Sequence, residues 1–317
     1  MNYCRAVTLL LVLSCPTTAA AQERFALVVE GAPGEAKYVE QHAAWREKLA
    51  TVLREVYKIP EQQMVVLAGS GTGAAATADG VRAALRRFAG AMRPADVALI
   101  VLIGHGTFDG EDAKFNLVGP DLAAAEWKTL IDRLPGEVVF VNTASASSPF
   151  LASIAGQRRV VITATAMPAQ RFHTIFAEYF IDGLAQSEAD IDRNGRRSVF
   201  EAFAYASLRV RQHYEQRGQF ATERAMLDDD GDGRGREAGA EGKDGERASL
   251  AYLDADRAAI VTDPGLLRLM QRRDALLLEI EELKKRRLMM PPVEYDGLLE
   301  KLLIDLALVS RDIRART

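Results

Sequence analysis

The sequence predicts a doubly wound α/β domain, with a mostly parallel sheet and helices on both faces, followed by a C-terminal α-helical hairpin. Short apolar runs, each able to form a strand buried on both faces, alternate with longer segments of helical periodicity. That alternation is typical of parallel sheets. From Leu266 onward the composition changes to Leu, Glu, Lys and Arg, which indicates a separate helical region.

The strands are predicted from apolar runs that end at Gly, Pro or small polar residues. They are expected at 24–30, 63–68, 97–103, 138–141 and 159–165, with a short added strand at 115–118. The helices are predicted from apolar residues spaced three and four apart. They are expected at 38–57, 122–134, 171–184 and 199–217, and 149–155 is expected to be a short helix or a turn. Another helix is expected to begin at a cap formed by Thr77 or Asp79 and to end at Met92. The aromatic residues of the 171–184 segment, Phe172 included, are expected in the core, and the Gly- and Asp-rich stretch 223–247 is expected to be a loop.

The C-terminal region, 263–317, is predicted to be a coiled-coil-like hairpin appended to the α/β domain, 22–262. Leu269, Leu276 and Leu283 recur every seven residues, and Pro291-Pro292 ends this helix before a second amphipathic helix begins. The apolar seam could be closed within the chain or by a partner chain, so homo- or hetero-association through the hairpin is expected.

The first 21 residues are predicted to be a secretory signal peptide that is cleaved after Ala21. A charged Arg5, a short apolar run at 6–13 and the small residues at 19–21 fit that pattern, and the run is too short for a membrane span. The protein is therefore expected to be exported, periplasmic or secreted, with lipid anchoring through Cys15 as the alternative. Because Cys4 and Cys15 are the two cysteines of the chain, the mature protein has no thiolate nucleophile and no disulfide.

The net charge of −4 gives no electrostatic footprint for nucleic acid, and no stretch has the apolar length of a membrane helix.

Two predicted strands end at residues that are suited to a binding cleft. His105-Gly106 follows the run 97–103, and Asn142-Thr143-Ala144-Ser145 follows the run 138–141. Because ligands of open parallel sheets bind beyond the carboxyl ends of the strands, we expect a cleft for a peptide or protein ligand there.

These strand ends resemble those of the caspase/legumain-like cysteine peptidases, in particular the bacterial legumain-like (C13) branch. The resemblance covers roughly residues 25–237, and His105-Gly106 matches the His-Gly of the family. Asn142-Thr143-Ala144 falls where the family carries Asp-Ala-Cys, so Ala144 occupies the position of the nucleophile. The resemblance therefore implies a caspase-like fold in a pseudoenzyme that has lost thiol catalysis and acts as a binding or scaffolding module.

Two other functions stay open at this point. An active hydrolase could use Ser145 with His105, although Ser145 lies one position past the nucleophile of the family and lacks the Gly-x-Ser-x-Gly context. A calcium-stabilised structural protein could instead act through its helical hairpin.

The stretch 190–201 fits a twelve-residue EF-hand-like calcium loop, flanked by predicted helices. The proposed ligands are Asp190, Asp192, Asn194, Ser198 and Glu201, with the carbonyl of Arg196 and with Gly195 at the turn position. Arg196 and Arg197 lower the negative charge of this loop. The alternative is an Asp-capped helix start on a solvated turn.

A second acidic stretch repeats this spacing with Asp228, Asp230 and Asp232. Its twelfth position is Gly239, so a bidentate closing ligand is missing unless Glu237 or Glu241 substitutes. The alternative is a disordered acidic loop.

Overall fold

The computed structural model describes residues 22–71, 73–254 and 264–316. The strands are β1 Arg24–Glu30, β2 Met64–Ala68, β3 Ala74–Ala75, β4 Val97–Ile103, β5 Gly106–Phe108, β6 Ala113–Phe115, β7 Leu122–Ala123, β8 Glu137–Asn142, β9 Arg159–Thr163 and β10 Met226–Asp228. The helices are α1 Ala36–Glu55, α2 Ala78–Ala91, α3 Ala124–Ile131, α4 Ser148–Ile154, α5 Phe176–Ala185, α6 Val199–Gln216, α7 Glu246–Leu250, α8 Pro264–Lys285 and α9 Pro292–Arg314. The predicted signal peptide and the predicted boundary at residue 263 lie outside the described residues.

The main sheet has seven strands in the order β10-β9-β8-β4-β1-β2-β3. All neighbouring strands are parallel except β10, which pairs antiparallel with β9 at one edge. The central pair β1 and β4 is in register from Arg24 opposite Val97 to Glu30 opposite Ile103. The carboxyl ends of the central strands therefore lie at one edge of the sheet, where the cleft is expected.

Helices cover both faces of the sheet. Ala26 and Val28 of β1 contribute to the apolar core beneath α1, α5 and α6, whereas Leu27 and Val29 contribute to the core beneath α2, α3 and α4. Burial of each large aliphatic side chain stabilises the fold by about 1.5–3 kcal/mol. The predicted doubly wound α/β fold is confirmed.

Several elements differ from the sequence-based expectation. Strand β10 lies in the stretch expected to be a loop, where Leu227 pairs with Ile162 of the distant β9. The short strand expected at 115–118 is instead β6, which belongs to a separate three-stranded antiparallel sheet, β5-β6-β7. Helix α5 begins five residues later than expected, so Phe172 precedes it and is 67% exposed rather than in the core. Thr77 caps α2, because its hydroxyl accepts a hydrogen bond from the Gly80 N–H.

The start of α5 is fixed by a buried carboxylate from a distant part of the chain. Glu223 accepts hydrogen bonds from the backbone N–H groups of Ile175 at 2.9 Å and Phe176 at 3.1 Å, and from the Tyr214 hydroxyl at 3.1 Å. A carboxylate at this end of a helix satisfies N–H groups that have no partner within the helix. Burial nevertheless raises the pKa of Glu223 to about 7.

The C-terminal helices α8 and α9 pack against each other within one chain. Leu276, Ile280 and Leu283 of α8 are buried within one chain and Leu269 is half-buried, so most of the leucine seam is covered by the chain itself. Arg273, which interrupts the seam, is 3% exposed, and its guanidinium lies 3.4 Å from the carbonyl of Asn194 in the first acidic loop. In the described parts of the chain, no helix combines the length and apolar character needed to cross a membrane.

The raised pKa of Glu223 predicts a specific dependence of stability on pH. Between the ordinary value of 4.5 and about 7, the folded chain retains a proton that the unfolded chain has lost. The free energy of unfolding should therefore decrease as pH rises through this window. In Glu223→Gln this decrease should be smaller by about 2 kcal/mol. Urea unfolding at the two ends of the window measures it, with the exposed Glu215→Gln as the control. Parallel pH profiles for wild type and Glu223→Gln would contradict the prediction.

Candidate functional site

A cleft of about 530 Å³ opens at the carboxyl ends of the central strands. Residues that follow β1, β4 and β8 line it, together with the first turn of α1 and the segment before α5. The lining includes Gly34, Tyr38, His105, Phe108, Ser145 and His173. The structure thus brings His105 and Ser145, which the sequence places after different strands, to one cleft.

The loops after β4 and β8 approach each other at a glycine. A Cβ atom on Gly106 would lie 2.5 Å from the carbonyl oxygen of Ser145, so a side chain there would force the loops apart. The Gly106 N–H donates to the Ser145 hydroxyl at 3.3 Å, and that hydroxyl donates to the Gly106 carbonyl at 3.2 Å. The Ser145 hydroxyl is therefore bonded to the backbone, and among the described residues it makes no hydrogen bond to His105.

The residues before Ser145 face away from the cleft. Ala144 is fully buried in the core beneath α2, α3 and α4, together with Phe140 and Phe150. The side-chain oxygen of Asn142 accepts the Ala144 N–H at 3.0 Å, which holds the turn that ends β8. Position 144, which corresponds to the nucleophile in the resemblance, therefore points into the core, whereas position 145 lies on the cleft wall.

The next residue stores backbone strain. Ala146 has a φ of +50°, a left-handed conformation that costs a non-glycine residue about 1–2 kcal/mol. Its N–H donates to the Gln170 carbonyl at 2.8 Å, so the loop after β8 is fastened to the segment that leads to α5. Such strain is found where the surrounding structure fixes a loop at a functional site.

Three histidines meet beside the cleft: His42 of α1, His105 after β4 and His173 before α5. Their ring centroids are 5.1 Å apart for His42 and His105, 5.4 Å for His42 and His173, and 5.6 Å for His105 and His173. One ring nitrogen of each lies within 4.8 Å of a ring nitrogen of both others. Tyr38 and Trp45 stack on His173, so an aromatic wall encloses the cluster.

All three imidazoles are held neutral, mainly by burial. Burial lowers the pKa of His42 to about 3 and that of His173 to about 4, and it also lowers the pKa of His105. Among the described residues, no group hydrogen-bonds to either ring nitrogen of His42 or of His173. A buried N–H without a partner costs about 1–3 kcal/mol, so this cluster is expensive if its only role is packing. The three nitrogen lone pairs could hold a metal ion.

Sequence reasoning found His105 but missed its two partners. The chain has four histidines, and the three in the cluster come from regions too far apart for any spacing motif. One local signal was present, because His42 continues the helical stripe that runs from Tyr38 through Trp45 to Leu49. That stripe places His42 on the buried face of α1, but it does not reveal what the ring meets.

A buried ion pair positions α1 at this end of the sheet. Glu30, the last residue of β1, is fully buried and pairs with Arg46, one helical turn after His42. The hydroxyl of Ser70 donates to the same carboxylate at 3.0 Å. On its exposed side Arg46 also pairs with Glu47 at 2.6 Å. Because His42 and Arg46 share one face of α1, the ion pair also sets the depth of the His42 ring.

The first acidic loop brings together three of its predicted ligands. Asp190, Asp192 and Glu201 each offer a carboxylate oxygen within 4.8 Å of the others. Asp190 accepts the N–H groups of Asn194 at 2.9 Å and Gly195 at 2.7 Å, which closes the loop. Although Asp192 is exposed as a residue, desolvation of its carboxylate and the charge of Glu201 raise its pKa to about 6. Crowded carboxylates of this kind are stabilised by a cation.

The remaining predicted ligands of this loop serve local hydrogen bonds. The Asn194 side-chain oxygen accepts the Arg196 N–H at 2.7 Å, and the Ser198 hydroxyl donates to Glu201 at 2.9 Å in a capping box for α6. The Arg196 guanidinium turns away from the loop and pairs with Asp254. Its charge is therefore balanced outside the carboxylate cluster.

The second acidic loop has the same internal geometry. Asp228 accepts the N–H groups of Gly231 at 3.1 Å and, through its other oxygen, Gly233 at 2.6 Å, and its carboxylate lies with those of Asp230 and Asp232. Burial raises the pKa of Asp228 to about 6.

A carboxylate that sequence reasoning did not consider, Asp244, hydrogen-bonds to the backbone of this second loop and pairs through its other oxygen with Arg236 at 3.2 Å. It accepts the Asp229 N–H at 3.1 Å and the Asp230 N–H at 3.4 Å. Glu201 accepts the corresponding N–H groups of the first loop, from Ile191 and Asp192. Of the two residues expected to close the second loop, Glu237 instead pairs with Arg224, and Glu241 is exposed.

Comparisons with known proteins identify no family. No family model matches the chain, and no curated protein matches it. Among solved structures, it is similar to protein GSU0716 from Geobacter sulfurreducens, with 13% identity and a TM-score of 0.41 over 65% of this chain and 92% of that one. Similarity at that level carries no argument about function.

The ion pair behind the cleft predicts a contrast between two carboxylates that contact the same arginine. Glu30→Gln removes the buried partner of the Arg46 guanidinium and leaves only the exposed Glu47, so it should lower the free energy of unfolding by about 3–5 kcal/mol. Glu47→Gln removes the exposed partner and should cost at most about 1 kcal/mol. Urea unfolding of both variants measures the difference. Equal losses would show that the buried pair does not hold α1.

Proposed function

We propose that this protein is an exported, catalytically inactive relative of the caspase/legumain-like peptidases that acts as a binding or scaffolding module. The observation that carries the proposal is the loop after β8. Ala144 is buried in the core, and the neighbouring Ser145 hydroxyl is bonded on both sides to the Gly106 backbone. A serine nucleophile needs an adjacent base, and His105 makes no hydrogen bond to Ser145 among the described residues. The chain after residue 21 has no cysteine that could serve as the nucleophile instead.

The cleft supports a ligand of peptide type. Its volume of about 530 Å³ lies in the range of small-molecule and peptide sites. Arg171 and Glu35 on its rim offer charges of both signs, and Phe108 offers an apolar surface.

The hairpin is a second surface for partners, because Ile304 and Leu308 of α9 are about half exposed. Light scattering of the full chain tests self-association, and a monomer at all concentrations would exclude it.

The proposal predicts that the mature chain is inert toward peptidase substrates and probes. Serine- and cysteine-directed electrophiles should leave the intact mass unchanged, and hydrolysis of caspase- and legumain-type peptides should stay at background. Ser145→Ala is the matched control, and it should behave as the wild type does. Labelling or hydrolysis that disappears in both Ser145→Ala and His105→Ala would instead establish a serine hydrolase.

We further propose that the two acidic loops bind calcium and stabilise the domain. Calcium takes six or more oxygen ligands, and each loop supplies three clustered carboxylates. Glu201 and Asp244 accept hydrogen bonds from the equivalent backbone N–H groups of the two loops, those of Ile191 and Asp229. This supports the same role for both carboxylates, as the last ligand of their loop. The alternative of a structural protein that works through its hairpin shares this calcium requirement.

Calcium should raise the melting temperature of the mature chain, and a chelator should reverse the effect. Binding to the folded state alone contributes about 2.7 kcal/mol when calcium is 100-fold above its dissociation constant. Glu201→Gln and Asp244→Asn should each reduce the calcium-dependent increment, whereas Glu188→Gln, an exposed carboxylate just before the first loop, should not. The increment is compared within each variant, because Glu201 also caps α6. An unchanged melting temperature across millimolar calcium would contradict the proposal.

A further inference from the structure

Three of the four histidines of the chain converge behind the cleft, and no role proposed above uses them together. We propose that His42, His105 and His173 bind a divalent transition-metal ion of the zinc class, with a fourth coordination position open to the cleft. The inference is independent of the proposed binding role, because a metal-loaded cleft can bind ligands without catalysis.

The spacing of the rings fits a shared ion. A tetrahedral ion with metal–nitrogen distances of about 2.0–2.1 Å holds the centroids of its imidazole ligands about 5 Å apart. The observed separations are 5.1, 5.4 and 5.6 Å. The facing ring nitrogens lie within 4.8 Å of one another, so small side-chain rotations would bring them onto one ion.

The burial of His42 is an independent indication of a ligand. Its ring is fully buried, lies against the other two imidazoles, and has no hydrogen-bond partner at either nitrogen among the described residues. A phenylalanine or leucine at position 42 would pack against Tyr38 and Trp45 without leaving a polar atom unsatisfied. Coordination to a metal uses the nitrogen lone pair that packing alone leaves idle.

His105 has the outer contact that metal-binding histidines commonly show. Its ring lies beside the backbone of Pro33, and because proline has no N–H, the Pro33 carbonyl is the group that can accept a ring N–H there. Donation of one ring N–H to a carbonyl fixes the tautomer and leaves the other nitrogen free to coordinate. His105 is thus held in a form suited to a ligand.

The donor set selects the class of metal. Neutral imidazole nitrogens suit zinc and its neighbours in the first transition series, whereas calcium prefers the oxygen ligands found in the two acidic loops. Three protein ligands with an open position are typical of zinc sites that bind water or a substrate group. His105 and His173 line the cleft and His42 lies behind them, so the open position faces the cleft.

The experiment uses the full mature chain, purified without a histidine tag and stripped with a chelator. Zn²⁺ is titrated against a chromophoric competitor in millimolar calcium, which keeps the acidic loops occupied. Co²⁺ is titrated in parallel, because a tetrahedral nitrogen site gives intense visible absorption and a carboxylate site does not. We expect one Zn²⁺ per chain and a tetrahedral Co²⁺ spectrum.

Loss of one ligand should weaken Zn²⁺ binding by more than the roughly 10–100-fold that changes in the outer shell cause. His42→Gln, His105→Gln and His173→Gln should all show this loss. His213→Gln is the matched control, because His213 bonds to Tyr179 outside the cluster and its loss should leave the affinity unchanged. If buried His42→Gln fails to fold, the cleft-lining His105→Gln decides the question. Affinities that are equal in wild type and in the foldable cluster variants, or a carboxylate-type Co²⁺ spectrum, would overturn the inference.

Discussion

The architecture of the cleft depends on the buried ion pair between Glu30 and Arg46. Glu30 ends the central strand β1, and Arg46 lies on the inner face of α1. A buried ion pair fixes its two elements closely, because separation would leave the Glu30 carboxylate desolvated without an opposite charge. The pair therefore determines where α1 crosses the end of the sheet. From that one helix Tyr38 lines the cleft, His42 forms part of the histidine cluster behind it, and Trp45 contacts that cluster.

The strand ends concentrate features that oppose stability. Ala146 adopts a left-handed conformation next to the close approach of Gly106 and Ser145, and His42 buries two nitrogens to which no described residue hydrogen-bonds. The apolar strands beneath them supply the stability that tolerates these costs. Strain and unsatisfied polar groups of this kind cluster where a structure binds a ligand, so the strand ends are the place to look for one.

The acidic loops connect the α/β domain to the hairpin. Arg273 of α8 contacts the Asn194 carbonyl at the turn of the first loop. Arg196 of the same loop pairs with Asp254, which follows α7. A cation in that loop would stiffen the backbone on which the hairpin rests. The first acidic loop and the hairpin are therefore in contact through Arg273, even though the two regions differ in composition.

The sequence by itself determined the five long strands of the main sheet, most of the helices and the two C-terminal helices. Apolar periodicity and turn residues are local properties, and they predicted the five long strands correctly. Only the tertiary structure decided the edge strand β10, the late start of α5 at Glu223, the contact of Asp244 with the second acidic loop and the histidine cluster. Each of these depends on a contact between residues far apart in sequence. Local pattern shows which face of an element is buried, but the partner across that face is fixed only when the whole chain packs.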